Sequence, residues 1–150
     1  MPELRELYQE LILDHSKRPR NFGKLEGATR QASGYNPLCG DKITVYVKVE
    51  DNIVREIRFE GIGCAISTAS ASLMTEKSKG KTLEEAEALF DLFHKLVTGG
   101  TVEESTATEL GKLSAFSGVQ EFPVRVKCAT LPWHTLRSAL RGTGEVVFTE

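Results

Sequence analysis

The stretch that decides the fold runs Ile43-Thr44-Val45-Tyr46-Val47-Lys48-Val49-Glu50-Asp51-Asn52 and returns through Glu56-Ile57-Arg58-Phe59-Glu60. Ile43, Val45, Val47 and Val49 alternate with Thr44, Tyr46, Lys48 and Glu50, the period-two pattern of a strand with one buried face. Asp51-Asn52 reads as a two-residue turn. Ile57 and Phe59 then alternate with Glu56, Arg58 and Glu60, which predicts an antiparallel hairpin. Carrying the first strand's parity backwards puts Cys39 and Asp41 on the face of Ile43 and Val45. Gly40 between them has no Cβ, so a bound ion or a partner backbone has room to approach.

Upstream, Leu4, Leu7, Tyr8, Leu11 and Ile12 fall at helical spacing and predict a helix from about Glu3 to His15, stopped by Pro19. The cations Lys17, Arg18 and Arg20 read as charges favoured at a helix C-terminus. From Gly27 to Leu38 the chain is polar, with room for at most one irregular edge strand. Downstream, Gly61-Ile62-Gly63-Cys64 leads into a helix from Ala65 to about Ser78, whose small side chains permit close approach. Cys64 therefore lies at a helix N-terminus, where backbone dipoles favour a thiolate. Thr82-Leu83-Glu84-Glu85 is a capping box opening a helix with the stripe Ala86, Leu89, Phe90, Phe93, Leu96 and Val97, closed by Gly99-Gly100. A shorter helix is expected after Thr106, with Glu109 completing a second box and Leu110, Leu113 and Phe116 facing inward. A last helix is expected from about Thr130 to Arg141, with Pro132 in its first turn, Cys128 at or just before its start, and a frayed Gly142-Thr143-Gly144 tail. The whole reads as an α+β fold, a small antiparallel β-sheet of about three strands packed against several α-helices, with residues 1–150 as a single domain.

A chain of 150 residues can bury roughly two-thirds of its unfolded surface. Its net charge of −2 gives no reason to expect nucleic acid or an anionic membrane as partner. No apolar run approaches ~18 residues, so no transmembrane helix is expected. Met1-Pro2-Glu3-Leu4-Arg5 lacks the basic and apolar regions of a signal peptide, and a cytoplasmic location is expected. Three cysteines, odd in number and widely spaced, argue against a secreted disulfide framework.

In a reducing compartment such thiols are structural, metal-bound or reactive. Cys39, Cys64 and Cys128 each fall at an element boundary, and three thiolates with the Asp41 carboxylate make a sensible four-coordinate zinc site. The same set suits iron during cluster assembly. With no CxxC pair, spacing alone leaves a shared site and three separate buried thiols equally open. Such a site would carry excess negative charge, which Arg125 and Lys127 beside Cys128 are placed to offset. The competing motifs are weaker. Gly61-Ile62-Gly63-Cys64-Ala65-Ile66 follows a strand and opens a helix as a dinucleotide fingerprint would, but Ile66 stands where a third glycine or alanine belongs. His15, His94 and His134 share no metal spacing and read as packing or surface residues.

Three segments together carry more than spacing does. Asn36-Pro37-Leu38-Cys39-Gly40-Asp41, Gly61-Ile62-Gly63-Cys64-Ala65-Ile66-Ser67 and Pro123-Val124-Arg125-Val126-Lys127-Cys128-Ala129-Thr130-Leu131 resemble the cysteine segments of U-type iron–sulfur assembly proteins, the IscU/NifU family. Leu7-Tyr8, Ile12-Leu13-Asp14-His15 and Pro19-Arg20-Asn21 resemble that family's N-terminal segment. Lys127 stands where IscU-like scaffolds have histidine, and Gly99 to Glu121 reads as an insertion; both features resemble the SufU-type branch. The resemblance implies an α+β fold and zinc held by Cys39, Asp41, Cys64 and Cys128, with Gly40, Arg125 and Lys127 around them. It implies a pyridoxal-phosphate cysteine desulfurase as partner, whose persulfide sulfur passes to Cys39, and scaffold or apo-acceptor proteins downstream. The alternative it allows is a scaffold on which a transient [2Fe–2S] cluster is built and handed on, with iron in place of zinc.

Overall fold

A computed structural model describes residues 2–99, 109–142 and 146–149. The hairpin forms as its alternation requires. β2 (Asp41–Glu50) and β3 (Ile53–Ile62) pair antiparallel, Val45 opposite Phe59 and Val47 opposite Ile57. Asp51 and Asn52 turn the chain with φ of 53° and 62°, the doubly left-handed turn that suits the twist of two short-looped strands. A register shift at Lys48/Val49 leaves Arg55 unpaired between Val54 and Glu56.

The sheet is larger than expected. Residues Arg30–Asn36 form a regular strand, β1, antiparallel to β2. Its buried positions Ala32, Gly34 and Asn36 alternate, but two of them carry little or no apolar side chain, so the hydrophobic signal is faint. The tail also contributes: Val147–Phe148 (β4) pairs parallel with β1, giving a mixed four-stranded sheet in the order β3-β2-β1-β4. The Phe148 ring stacks on Tyr35, 5.7 Å between centroids. The segment 143–145 lies outside the described residues.

Helix α1 spans Pro2–Lys17, two residues beyond the expected end. Leu11 and Ile12 pack on the core, but Leu7 is 60% exposed. Helix α2 (Ala65–Ser78) has its small residues buried on most sides, among α1, β3 and the last helix. Helix α3 (Leu83–Thr98) opens on the Thr82/Glu85 capping box and closes on Gly99 at φ 86°. Leu110 and then Leu113 and Phe116 of a 3-10 helix, Gly111–Glu121, are buried as expected; the proposed cap at Thr106 lies outside the described residues. Phe93 packs between Phe116 and Trp133, stacking on the indole at 4.6 Å.

The last helix, α4, runs Pro123–Arg141 and not from Thr130. Pro123 holds the first-turn position for which Pro132 was expected, since a first-turn residue has no intrahelical acceptor for an N–H anyway. Pro132 sits inside the helix, where its missing N–H deprives the Cys128 carbonyl of its intrahelical donor. Neighbouring carbonyls gain side-chain donors: Ser70 Oγ donates to Ala129 O at 2.6 Å, and Thr149 Oγ1 to Lys127 O at 3.3 Å. Ser70 Oγ also accepts from the Trp133 indole N–H at 3.1 Å, tying α2 to α4 at the turn that carries Cys128. Helices α2 and α4 cover one face of the sheet; on the other, Lys42, Thr44 and Tyr46 are at least partly open to solvent. No helix among the described residues is long and apolar enough to cross a membrane.

Candidate metal centre

Three separate elements deliver the thiols to one place. Cys39 lies in the turn between β1 and β2, where Gly40 takes φ 71° and Cys39 N–H donates to Asn36 O at 3.2 Å. Cys64 is the N-cap of α2, its sulfur accepting from Ser67 N–H at 3.4 Å. Cys128 falls in the second turn of α4, not at a boundary as expected, and is 2% exposed. Asp41 opens β2 on its buried face, as the alternation predicts, and is likewise 2% exposed.

Donor atoms of Cys39, Asp41 and Cys128 all lie within 4.8 Å of one another. Cys128 Sγ–H donates to Cys39 Sγ at 3.1 Å. Cys64 stands at the edge of this group: its backbone N–H donates to Asp41 Oδ1 at 2.9 Å and its Sγ lies 3.9 Å from Asp41 Oδ2. The carboxylate thus bridges the turn of Cys39 to the start of α2. Burial pushes the Cys128 thiol well above its ordinary range, and its bond to Cys39 and the charges of Cys64 and Asp41 push it the same way. A buried cluster of sulfur and carboxylate with no cation inside it is costly to ionise. A divalent ion inverts that, because it deprotonates a coordinating thiol outright. Four-coordinate zinc with sulfur at about 2.3 Å sets its donors roughly 3.8 Å apart, against a span of at most 4.8 Å between the donor atoms of Cys39, Asp41 and Cys128 here. The donor set fits the metal.

The flanking cations are less engaged. Arg125 lies one helical turn before Cys128 and is exposed, its guanidinium 5.1 Å over the Phe122 ring. Lys127 is about 100° around the helix from Cys128. The histidines stay outside the centre. His15 is buried, with Nδ1 2.6 Å from Ser72 Oγ. His94 and His134 pack edge to face beside Phe90. Two features escaped the sequence. A cavity of about 1010 Å³ opens beside the thiols, walled by Tyr8, Ile12 and Leu13 of α1 and by Val119, Phe122 and Val124. Asn36, buried at the end of β1, directs its amide at Cys128; its parity with Ala32 and Gly34 was the available signal.

The comparisons with known proteins agree with this arrangement. Residues 7–129 match the family model described as the NifU-like N terminal domain. The chain belongs to that family of iron–sulfur assembly proteins. An iron–sulfur cluster assembly scaffold protein, IscU, of Streptococcus pyogenes serotype M1 is 43% identical over 141 residues, 94% of this chain and 87% of the relative. A zinc-dependent sulfurtransferase, SufU, of Bacillus subtilis is 42% identical over 134 residues, 89% of each. A crystal structure of an iron–sulfur cluster assembly scaffold protein for the SUF system from Fervidobacterium islandicum superposes with a TM-score of 0.83 at 38% identity. It covers 91% of this chain and 98% of its own.

Proposed function

We propose that this protein is a zinc-binding sulfur acceptor for iron–sulfur cluster biogenesis, taking persulfide sulfur from a pyridoxal-phosphate cysteine desulfurase and passing it on. The observation that carries the reading is the convergence of Cys39, Asp41 and Cys128 within 4.8 Å, with Cys64 joined to them through Asp41. Cys39, Asp41, Cys64 and Cys128 would hold the zinc. When bound, it supplies thiolates that persist at neutral pH. Cys39 is the acceptor in this reading, because it rides on a turn and is only half-buried, whereas Cys64 caps a helix and Cys128 is enclosed. Its thiolate attacks the terminal sulfur of the partner's cysteine persulfide. The new S–S bond forms on Cys39, the partner's S–S bond breaks, and the electron pair leaves with the partner's cysteine as thiolate. The sulfur is then handed to a scaffold or apo-acceptor protein. The naming of the Bacillus subtilis relative as a zinc-dependent sulfurtransferase supports zinc and sulfur transfer together.

The test is mass spectrometry of the purified protein incubated with a cysteine desulfurase and cysteine. Wild type should gain mass in sulfur steps, and Cys39→Ser should lose that gain. Undiminished uptake by Cys39→Ser moves the acceptor role to another thiol. The second reading, a scaffold that builds a [2Fe–2S] cluster, rests on the naming of the Streptococcus pyogenes relative. It requires that anaerobic reconstitution with iron and sulfide give a stable chromophore that transfers to an apo-ferredoxin.

A further inference from the structure

The three thiols are not equivalent in what donates to them. Cys64 Sγ accepts a backbone N–H from Ser67. Cys128 Sγ accepts from Asn36 Nδ2 at 3.7 Å, within the range of a hydrogen bond to sulfur. Among the described residues no N–H group is directed at Cys39 Sγ, which accepts only the S–H of Cys128, a proton lost once both sulfurs bind a metal. A donor to a thiolate withdraws electron density, which lowers its nucleophilicity and holds it in place as a ligand. The thiolate without one is the strongest nucleophile of the set.

Asn36 itself is unusual. It is 0% exposed, and among the described residues its Oδ1 has no hydrogen-bond partner. Once a metal holds Cys128 as a thiolate, turning the amide over would set that oxygen against the sulfur, so the side chain keeps its donor on Cys128 and leaves its acceptor unmet. A buried orphan carbonyl weakens the fold, and such groups call for an explanation. The same residue's backbone carbonyl accepts from Cys39 N–H, closing the turn on which Cys39 sits.

We propose that Asn36 is a positioning residue that makes Cys128 the retained thiolate and leaves Cys39 as the one that exchanges. Its side chain steadies the first sulfur, and its main chain presents the second. The inference rests on the sulfur-acceptor reading but concerns a different property, the inequality of two ligands.

The test uses the full chain loaded with zinc or cobalt(II), comparing wild type with Asn36→Leu, which keeps the branched skeleton of the side chain and removes the donor. In the zinc protein, limiting iodoacetamide followed by peptide mass mapping should label Cys39 at least tenfold faster than Cys128. In Asn36→Leu that ratio should fall at least threefold. In the cobalt protein, the thiolate-to-cobalt charge-transfer bands should shift to lower energy in the variant, which a packing role alone does not produce. Where Asn36→Leu fails to fold by circular dichroism, Asn36→Ala, which removes the same donor without adding a charge beside the sulfurs, is read the same way, with the same expected directions. Unchanged bands together with an unchanged labelling ratio in a folded variant overturn the proposal. Sulfur uptake on a cysteine other than Cys39 in wild type sinks the acceptor assignment alone, while the cobalt shift still reports the Asn36 bond.

Discussion

Asp41 does two jobs with two oxygens, and they can be separated. Oδ1 accepts the Cys64 N–H and so aligns the start of α2, whereas the charge and Oδ2 face the sulfurs. Asp41→Asn keeps an oxygen for the backbone bond and removes the charge. We expect it to leave the thermal midpoint of the metal-free chain nearly unchanged while weakening zinc by about tenfold or more in chelator competition. Zinc held as tightly by the asparagine variant would take Asp41 out of the ligand set. Much of this centre was legible at the level of residues. Parity put Asp41 on the buried face before any tertiary contact was known, and Asn36 through Asp41 stood out as a unit. Cys128 is the exception: the sequence offers two prolines for a helix start, and the helix begins at Pro123, nine residues before Pro132.

At the scale of elements, the fold depends on how closely α4 approaches the sheet. Gly34 in β1 has no side chain because α4 occupies the space. A Cβ there would stand 2.1 Å from Thr135 Oγ1 and 3.0 Å from Leu131 Cδ1. Thr135 is fully buried and its hydroxyl donates to Leu131 O at 2.8 Å, so it cannot swing clear without losing that bond. Gly34→Ala should therefore cost about 1–3 kcal/mol in urea unfolding. Adding Thr135→Ala opens space at the same point, and the double variant should recover part of that loss. Simple additivity of the two changes would show that the contact is not the cause. The sequence hid this element for the same reason. A strand whose inward positions are alanine, glycine and asparagine has no apolar alternation to read, and its burial comes from the helix laid across it.

Across the whole molecule, two histidines sit at helix junctions, His15 buried where α1 meets α2 and His134 half-buried where α3 meets α4. Burial lowers the affinity of both for a proton, and the guanidiniums of Arg20 and Arg137 add to it; His134 is held at about 4. The folded state therefore binds fewer protons than the unfolded chain, whose histidines titrate near 6.5. Stability from this source is complete above pH 6.5 and is lost as the pH falls towards 4. Because His134 is only half-buried, the loss is on the order of 1–2 kcal/mol. Between pH 7.5 and 4.5 the urea midpoint of wild type should drop further than that of His134→Gln. Equal drops would mean that His134 carries none of the dependence.

What the sequence determined by itself is what local periodicity and local chemistry encode: the β2–β3 hairpin, the capped α3, the small-residue α2, and which residues are candidates to hold a metal. Those signals are written in neighbouring positions, so no distant contact is needed to read them. Tertiary structure decided the rest. It placed Cys128 against Cys39 across eighty-nine positions of chain, recruited β1 and β4 to the sheet, opened the cavity beside the thiols, and turned the Asn36 amide onto one sulfur. Each of these depends on which surfaces the helices must cover, and that is settled only when the whole core is packed.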